Sequence, residues 1–356
     1  MEINAIINIY IIIRKARSNT LEQINDNYFC NLLENEHITF PYTVGALLYS
    51  PATTDKIVES IIDNKFGDNY SLALCLEDSI SDSAVEFAEE QIITTFKKLN
   101  KITSTNYFIK LPKIFIRVRT PEQILDLFNR LGNNSKYLTG FILPKYSLHC
   151  SEKYNNNIIS INKISDKTIY MMPILESSDI INLDTRYDAL YALKSQLDDI
   201  AKYVLNVRVG GNDFCKEFGI RRHYDETIYE ILAVSRILSD IITVFSRDFV
   251  VSGPVFEYFA SENGEWKAGL RNELKLDKLN GFIGKTVIHP KQISVVNDSL
   301  KVSTKDYDDA LSILSWSDTN NLLVSKNSSG ERMNEVKTHI NWAEKTIILA
   351  KTYGVY

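Results

Sequence analysis

Cysteine, histidine and glycine-rich loops are sparse in this 356-residue chain, and their scatter excludes more than their numbers do. The four cysteines, Cys30, Cys75, Cys150 and Cys215, lie far apart and form no C-x-x-C pair, which fits a reduced, cytoplasmic setting better than a disulfide scaffold. Five histidines supply neither an H-x-x-x-H pair nor a Cys/His cluster, so no zinc site is expected. Basic residues show no excess: the formal net charge is -5, the wrong sign for gripping a phosphate backbone, and no nucleic-acid partner is expected. The opening run INAIINIYIII (3–13) is about half the length of a membrane span, and its basic residues, Arg14, Lys15 and Arg17, follow it where a secretory signal would place them first. It reads as a strand, a buried helix or a partner-binding arm within an N-terminal extension, 1–41, of a soluble protein with no membrane partner.

A nucleotide loop is missing too. The triplet Gly284-Lys285-Thr286 invites that reading, but Leu279 occupies the position where the first glycine belongs. Val287-Ile288 then continues as an apolar strand that His289-Pro290 stops, whereas a phosphate loop opens directly into a helix. No glycine-rich first turn of a dinucleotide fold occurs, and no internal repeat is found.

What is present is alternation. Short apolar or β-branched runs at 43–50, 71–76, 114–119, 140–144, 168–175, 203–209, 248–252 and 284–289 predict strands. Between most of them lie helical periods, at 54–63, 82–99, 121–131, 178–202, 224–245 and 266–279. The interval 145–167, rich in Asn and Ser, predicts at most a short helix. Strands and helices in this order over 42–300 predict an α/β fold, a (β/α)8 TIM barrel, with an open doubly wound sheet as the alternative. Residues 301–356 predict a C-terminal helical extension interrupted by a mobile polar loop at 324–335.

A barrel builds its site at the C-terminal ends of its strands, so the residues that end each run matter most. The second run ends on Glu77-Asp78, the fifth on Glu176 and the sixth on Gly210-Gly211-Asn212-Asp213. Carboxylates gathered on one rim repel unless neutralised, and a divalent cation with oxygen ligands is the usual neutraliser. In IFIRVR, strand alternation puts Phe115, Arg117 and Arg119 on one face, offering a guanidinium that can hold a carboxylate bidentately. Each residue has a plainer reading: Glu77, Asp78 and Glu176 as helix-start acids, Asp213 as a turn residue, Arg119 as a surface charge and His289 as a strand-end hydrogen bonder. Joint placement on one rim favours the functional one.

LCLEDSISD, IRVR, GFILPK, PILES, VGGNDF and GFIGKTVIHPKQI occur in the order and spacing of the citrate lyase β-subunit, malyl-CoA lyase and HpcH/HpaI aldolase superfamily, which the chain resembles over about 42–300. ALLYSPATT (46–54), VSGPVFEYFASENGEWKAGLR (251–271) and ERMNEVKTHINWAEK (331–345) look closest to its branch of carbon-carbon bond lyases encoded near tellurium-resistance genes. The resemblance implies Mg2+ held by Glu176 and Asp213, a substrate carboxylate on Arg117, and catalytic acids at Glu77 and Asp78. It also implies a late-loop acid or base at Glu335 that reaches a neighbouring subunit, and a substrate rim that includes Arg119, Gly211, Pro144, Lys145 and His289.

Cys75 stands where the family often has Asp, Arg119 where it has Asn, and Asn212 where it has Glu, which shifts the pocket toward positive charge. The expected activity is a Mg-dependent carbon-carbon lyase, by retro-aldol or retro-Claisen cleavage, on a small carboxylate or acyl-thioester. Coenzyme A is not assumed. A homo-oligomer, a trimer or a multiple of one, is expected. Two other readings stand beside it: an idle barrel that binds a ligand or scaffolds a tellurium-type resistance complex, and a barrel that takes phosphorylated substrates through Arg119.

Overall fold

Strand β1 (Ala46–Pro51) pairs in parallel with β2 (Tyr70–Cys75), and that pairing repeats outward through β3 (Lys113–Arg117), β4 (Leu138–Leu143), β5 (Tyr170–Leu175), β6 (Val207–Val209) and β7 (Val251–Ser252). On its other side β1 pairs with β8 (Lys285–Val287), and a bridge from Gly253 to Lys285 joins β7 to β8 and closes the ring. The computed structural model describes residues 32–105, 109–316 and 322–356; the apolar run 3–13 lies outside them. The predicted parallel barrel is therefore the observed fold, with all eight strands within the runs read from the sequence or a residue or two beyond them.

The strands read as continuous apolar runs because both faces are covered. Leu47, Leu72, Phe115 and Phe141 are completely or almost completely buried. Helices cover the outer face. Val85–Thr105 buries Ala88, Ile92, Phe96 and Leu99; of the stripe that periodicity predicts, Ala84, Phe87, Ala88, Ile92 and Phe96, Phe87 is instead exposed and Ala84 precedes the helix.

Three helical expectations are corrected. The Asn-rich interval holds a full helix, Ser151–Ile164, because Tyr154, Ile158 and Ile161 form a buried stripe. Its asparagines serve as tertiary connectors: Asn155 accepts from Tyr146 at 2.9 Å and Asn157 donates to the Pro121 carbonyl at 2.7 Å. The expected helix 178–202 breaks at Asn182, whose side chain accepts from the Asp184 N–H and caps a new helix, Leu183–Asp198. The stretch 224–245 becomes helical only from Leu232, after a 3-10 turn at Ile228–Glu230 whose Thr227 and Glu230 form a capping box.

Lys285 supplies the reason that the Gly-Lys-Thr triplet exists. Its ammonium turns outward from β8 to Glu273 at 2.9 Å and Asp277 at 2.7 Å on the helix Trp266–Leu279, and all three are buried. Arg222 joins Glu273 at 3.1 Å, and Tyr229 donates to Asp277 at 2.7 Å. Gly284 adopts φ +76, and a Cβ there would lie 2.6 Å from the Gly45 carbonyl oxygen. The triplet thus locks the last strand of the barrel.

Among the described residues the chain divides into two compact units, Val44–Ser299 and a second that unites the segments up to Thr43 and from Leu300 to Tyr356. In the second unit the helices Thr304–Leu314 and Val336–Tyr353 share an apolar core with Leu32 and Leu33. The stretch expected as a mobile loop, 324–335, is a hairpin: β9 (Val324–Lys326) pairs antiparallel with β10 (Met333–Glu335). Buried Asp309 organises it, accepting from Arg332 Nε at 2.6 Å and from Asn327 at 3.3 Å, while Asn327 Oδ1 accepts from the Glu331 N–H. None of the described helices is long and apolar enough to cross a membrane.

Candidate active site

Six of the eight strands contribute to one cavity of about 510 Å³ at the C-terminal end of the barrel, through Tyr49, Cys75, Arg117, Ile174, Arg208 and Thr286. Asp78, Glu176 and Gly210 line it from the turns that follow β2, β5 and β6, and Gly211, Asn212 and Asp213 from the start of the helix after β6.

Arg117, the last residue of β3, is 5% exposed and sits among acids. One of its terminal nitrogens lies 2.8 Å from Glu77, 3.0 Å from Asp78 and 3.8 Å from Glu176. The Tyr49 ring carries its guanidinium at 5.3 Å, and Cys75 Sγ is 3.7 Å from the other terminal nitrogen. So many anionic neighbours outweigh its burial and hold Arg117 firmly protonated.

Lys145 joins the same cluster in two ways. It adopts φ 49, an uncommon left-handed conformation for a residue with a side chain. That turn aims its backbone N–H at Glu176 Oε1, 2.9 Å away, and lets its ammonium reach Glu77 Oε1 at 2.7 Å. Gly210 completes the nest, because a Cβ there would fall 2.2 Å from Glu176 Oε2.

Glu176 is the most perturbed acid of the rim. Burial pushes its carboxyl up to about 8; repulsion from Asp213 and Glu77 adds to this, and Arg117 and the Lys145 N–H offset part of it. Burial and the adjacent Asp78 likewise raise Glu77. Burial opposes ionisation of Asp78, yet its hydrogen bond with Glu77 and the charge of Arg117 hold it below the usual carboxylate range.

Asp213 has no such support. It lies in the first turn of the short helix Gly211–Glu217, and among the described residues its carboxylate makes no hydrogen bond or salt bridge. A buried carboxylate with a raised proton affinity beside an uncompensated one is the donor set a hard cation fits. Among the described residues no group of three or more His, Cys, Asp and Glu side chains is arranged to hold a metal. Two suffice for magnesium, which keeps several waters and binds through one or two carboxylates and substrate oxygens.

The structure does not gather every expected site residue. Arg119 lies past the end of β3 and does not line the cavity; its guanidinium donates to the carbonyls of Leu76 at 3.0 Å and Glu77 at 3.2 Å, and also to Ile80 and Asp82. It clamps the loop after β2, because the four groups around it satisfy its fork. An Arg119→Asn exchange is expected to cost about 1–2 kcal/mol of stability, read by urea unfolding, and to leave competition by inorganic phosphate unchanged.

His289 stacks on Phe259 at 4.7 Å and accepts from the Lys291 N–H at 3.2 Å, so its ring serves the rim after β8. Burial and the charge of Lys291 hold its imidazole below the ordinary range. Pro144 is buried, and its carbonyl accepts from Tyr154 at 3.5 Å. Glu335 belongs to the second unit, where its N–H donates to His339 Nδ1 at 3.0 Å ahead of the last helix.

Sequence reading overlooked Arg208, Tyr49 and Thr286. The signal for Arg208 was available: period-two alternation in YVLNVRV places Asn206 and Arg208 on one face, as it does Phe115 and Arg117 in β3.

A family model described as C-C_Bond_Lyase of the TIM-Barrel fold matches residues 38–355. The chain belongs to this carbon-carbon bond lyase family. Among curated proteins none matches it. Solved structures similar to this lyase-family barrel include a citrate lyase from Burkholderia xenovorans LB400, 13% identical with a TM-score of 0.66, over 88% of this chain and 93% of that one. Protein CitE from Mycobacterium tuberculosis, in complex with magnesium, acetoacetate and coenzyme A, is 16% identical with a TM-score of 0.55, over 86% of this chain and 98% of that one. At such identities the likeness speaks for the shared fold. The carbon-carbon bond lyase family and the TIM barrel expected from the sequence motifs are thus both found, and the citrate lyase structures share that barrel fold.

Proposed function

We propose that this barrel is a magnesium-dependent carbon-carbon lyase that cleaves a small carboxylate, or its acyl-thioester, by a retro-aldol or retro-Claisen route. The observation that carries it is the pairing of buried Glu176 with unsupported Asp213 on the cavity wall that also holds Arg117. The magnesium and acetoacetate in the M. tuberculosis CitE complex support the reading by analogy.

Glu176 and Asp213 would hold the ion, which when bound supplies positive charge to an oxygen that turns anionic during cleavage. This chain's residues do the rest. Arg117 is fixed on four sides before substrate arrives, so its charge needs no reorganisation as the enolate oxygen develops. The Lys145 N–H fixes Oε1 of Glu176, Oε2 lies beside Gly210, and the carboxylate so held would be one of the two that bind the ion. Proton exchange with the enolate fragment falls to water entering at the cavity mouth, beside exposed Asp78.

Calorimetry tests the reading: Mg2+-dependent binding of pyruvate, glyoxylate or oxaloacetate is expected, and a barrel that binds none of them with Mg2+ present is not this enzyme. The pH dependence is specific. Below about 8 a cation has to displace the Glu176 proton, so Mg2+ affinity is expected to rise about tenfold per pH unit from roughly pH 6 to 8 and then level off. Glu176→Gln flattens that slope. In EDTA the sign is opposite for the fold: a carboxyl whose folded pKa is raised stabilises while protonated, so stability falls as pH rises through about 8.

A further inference from the structure

Four arginines among the described residues are buried, and they face different company; Arg186 pairs with Asp240 at 3.0 Å. Arg117 touches three carboxylates, and Arg222 pairs with Glu273 inside the Lys285 network. Arg208 touches none. It is 1% exposed, lines the cavity, and among the described residues forms no salt bridge. Its terminal nitrogens donate to neutral oxygens, Thr286 Oγ1 at 2.7 Å and Asn206 Oδ1 at 3.4 Å, and its Nε hydrogen has no acceptor.

Burying a charge without a counter-charge costs several kcal/mol, so a fold retains one only where something offsets it. The neighbours of Arg208 are arranged to present it. Thr286 accepts from the guanidinium, which leaves the hydroxyl hydrogen free to donate into the cavity. Tyr49 stands between the two cations, its ring under Arg117 and its oxygen interacting with Arg208. Register places Arg208 beside Ile174 on β5, two residues before Glu176. The uncommitted cation therefore shares the cavity with the carboxylate pair, while Arg117 is already engaged by protein acids.

We propose that Arg208, with the Thr286 hydroxyl, is a second anion subsite that takes the distal carboxylate of a dicarboxylic substrate whose reacting end lies at Glu176, Asp213 and Arg117. A carboxylate suits it because the guanidinium edge offers two parallel donors to two coplanar oxygens. The inference rests on the proposed function only in taking this cavity as the substrate site. It narrows the substrate class to acids with a free second carboxylate rather than a thioester at that end.

Malate and lactate differ by that carboxylate, are stable, and can be titrated by calorimetry in Mg2+. Wild-type protein is expected to bind malate at least about tenfold more tightly than lactate. Arg208→Gln should bring the ratio to about one with lactate affinity unchanged, and Thr286→Val should lower the ratio part of the way. Circular dichroism and the melting temperature establish that each variant is folded; should Arg208→Gln not fold, the wild-type ratio and Thr286→Val decide. A wild-type ratio near one, or an Arg208→Gln variant that weakens both acids equally, overturns the assignment. Inorganic phosphate that binds more tightly than malate and is lost with Arg208→Gln overturns the choice of carboxylate. Selective malate binding that needs Arg208 but is unchanged in EDTA keeps this subsite and removes the magnesium-dependent lyase reading, whereas no binding of either acid removes both.

Discussion

A Glu176→Gln/Asp213→Asn variant is expected to lose Mg2+-dependent cleavage by at least about a thousandfold while remaining folded. The two exchanges remove the charges that would hold the ion but preserve side-chain volume. Removing like charges from a buried wall relieves repulsion, so the melting temperature in EDTA should stay level or rise. Added Mg2+ should raise the melting temperature of the wild type, as any ligand of the folded state does, and leave that of the variant unmoved. Normal turnover in the double variant would take the cation out of the chemistry.

Lys285→Met should be the most damaging single change to the fold, at about 3–5 kcal/mol in urea unfolding. The loss is not that of one ion pair. Glu273 and Asp277 are buried, and without the ammonium between them their charges have only Arg222 for compensation. Neutralising both acids in the same background, as Glu273→Gln/Asp277→Asn, should return part of the stability because it removes the stranded charge. A cost below about 1 kcal/mol for Lys285→Met would show that the network relaxes around the gap.

The barrel was legible because its strands are continuous apolar runs at barrel spacing, a pattern that follows from burial on both faces. β6 and β7 were overestimated in length: Val204 and Leu205 are buried and apolar, yet Ala201–Tyr203 is a 3-10 turn and the ladder proper begins at Val207. The rim acids were readable from their position at strand ends. Their partners were not, because period and spacing tell which residues face the cavity but not which charges cancel there. Arg117 and Arg208 look alike in sequence, and only three-dimensional neighbours distinguish the cation held by acids from the one that is not. Arg119 failed the other way: alternation presumes a straight strand, and β3 ends at Arg117, after which the chain turns and carries Arg119 to the loop carbonyls.

The hold on Glu176 by the Lys145 amide has a bearing on genetics. That contact belongs to the main chain, so alanine scanning would delete the ammonium's grip on Glu77 and leave the one on Glu176 in place, understating the position. Proline is the informative replacement, since it abolishes the N–H and is incompatible with φ 49. A mutational map built from side-chain truncations alone would be blind to one of the supports of the site.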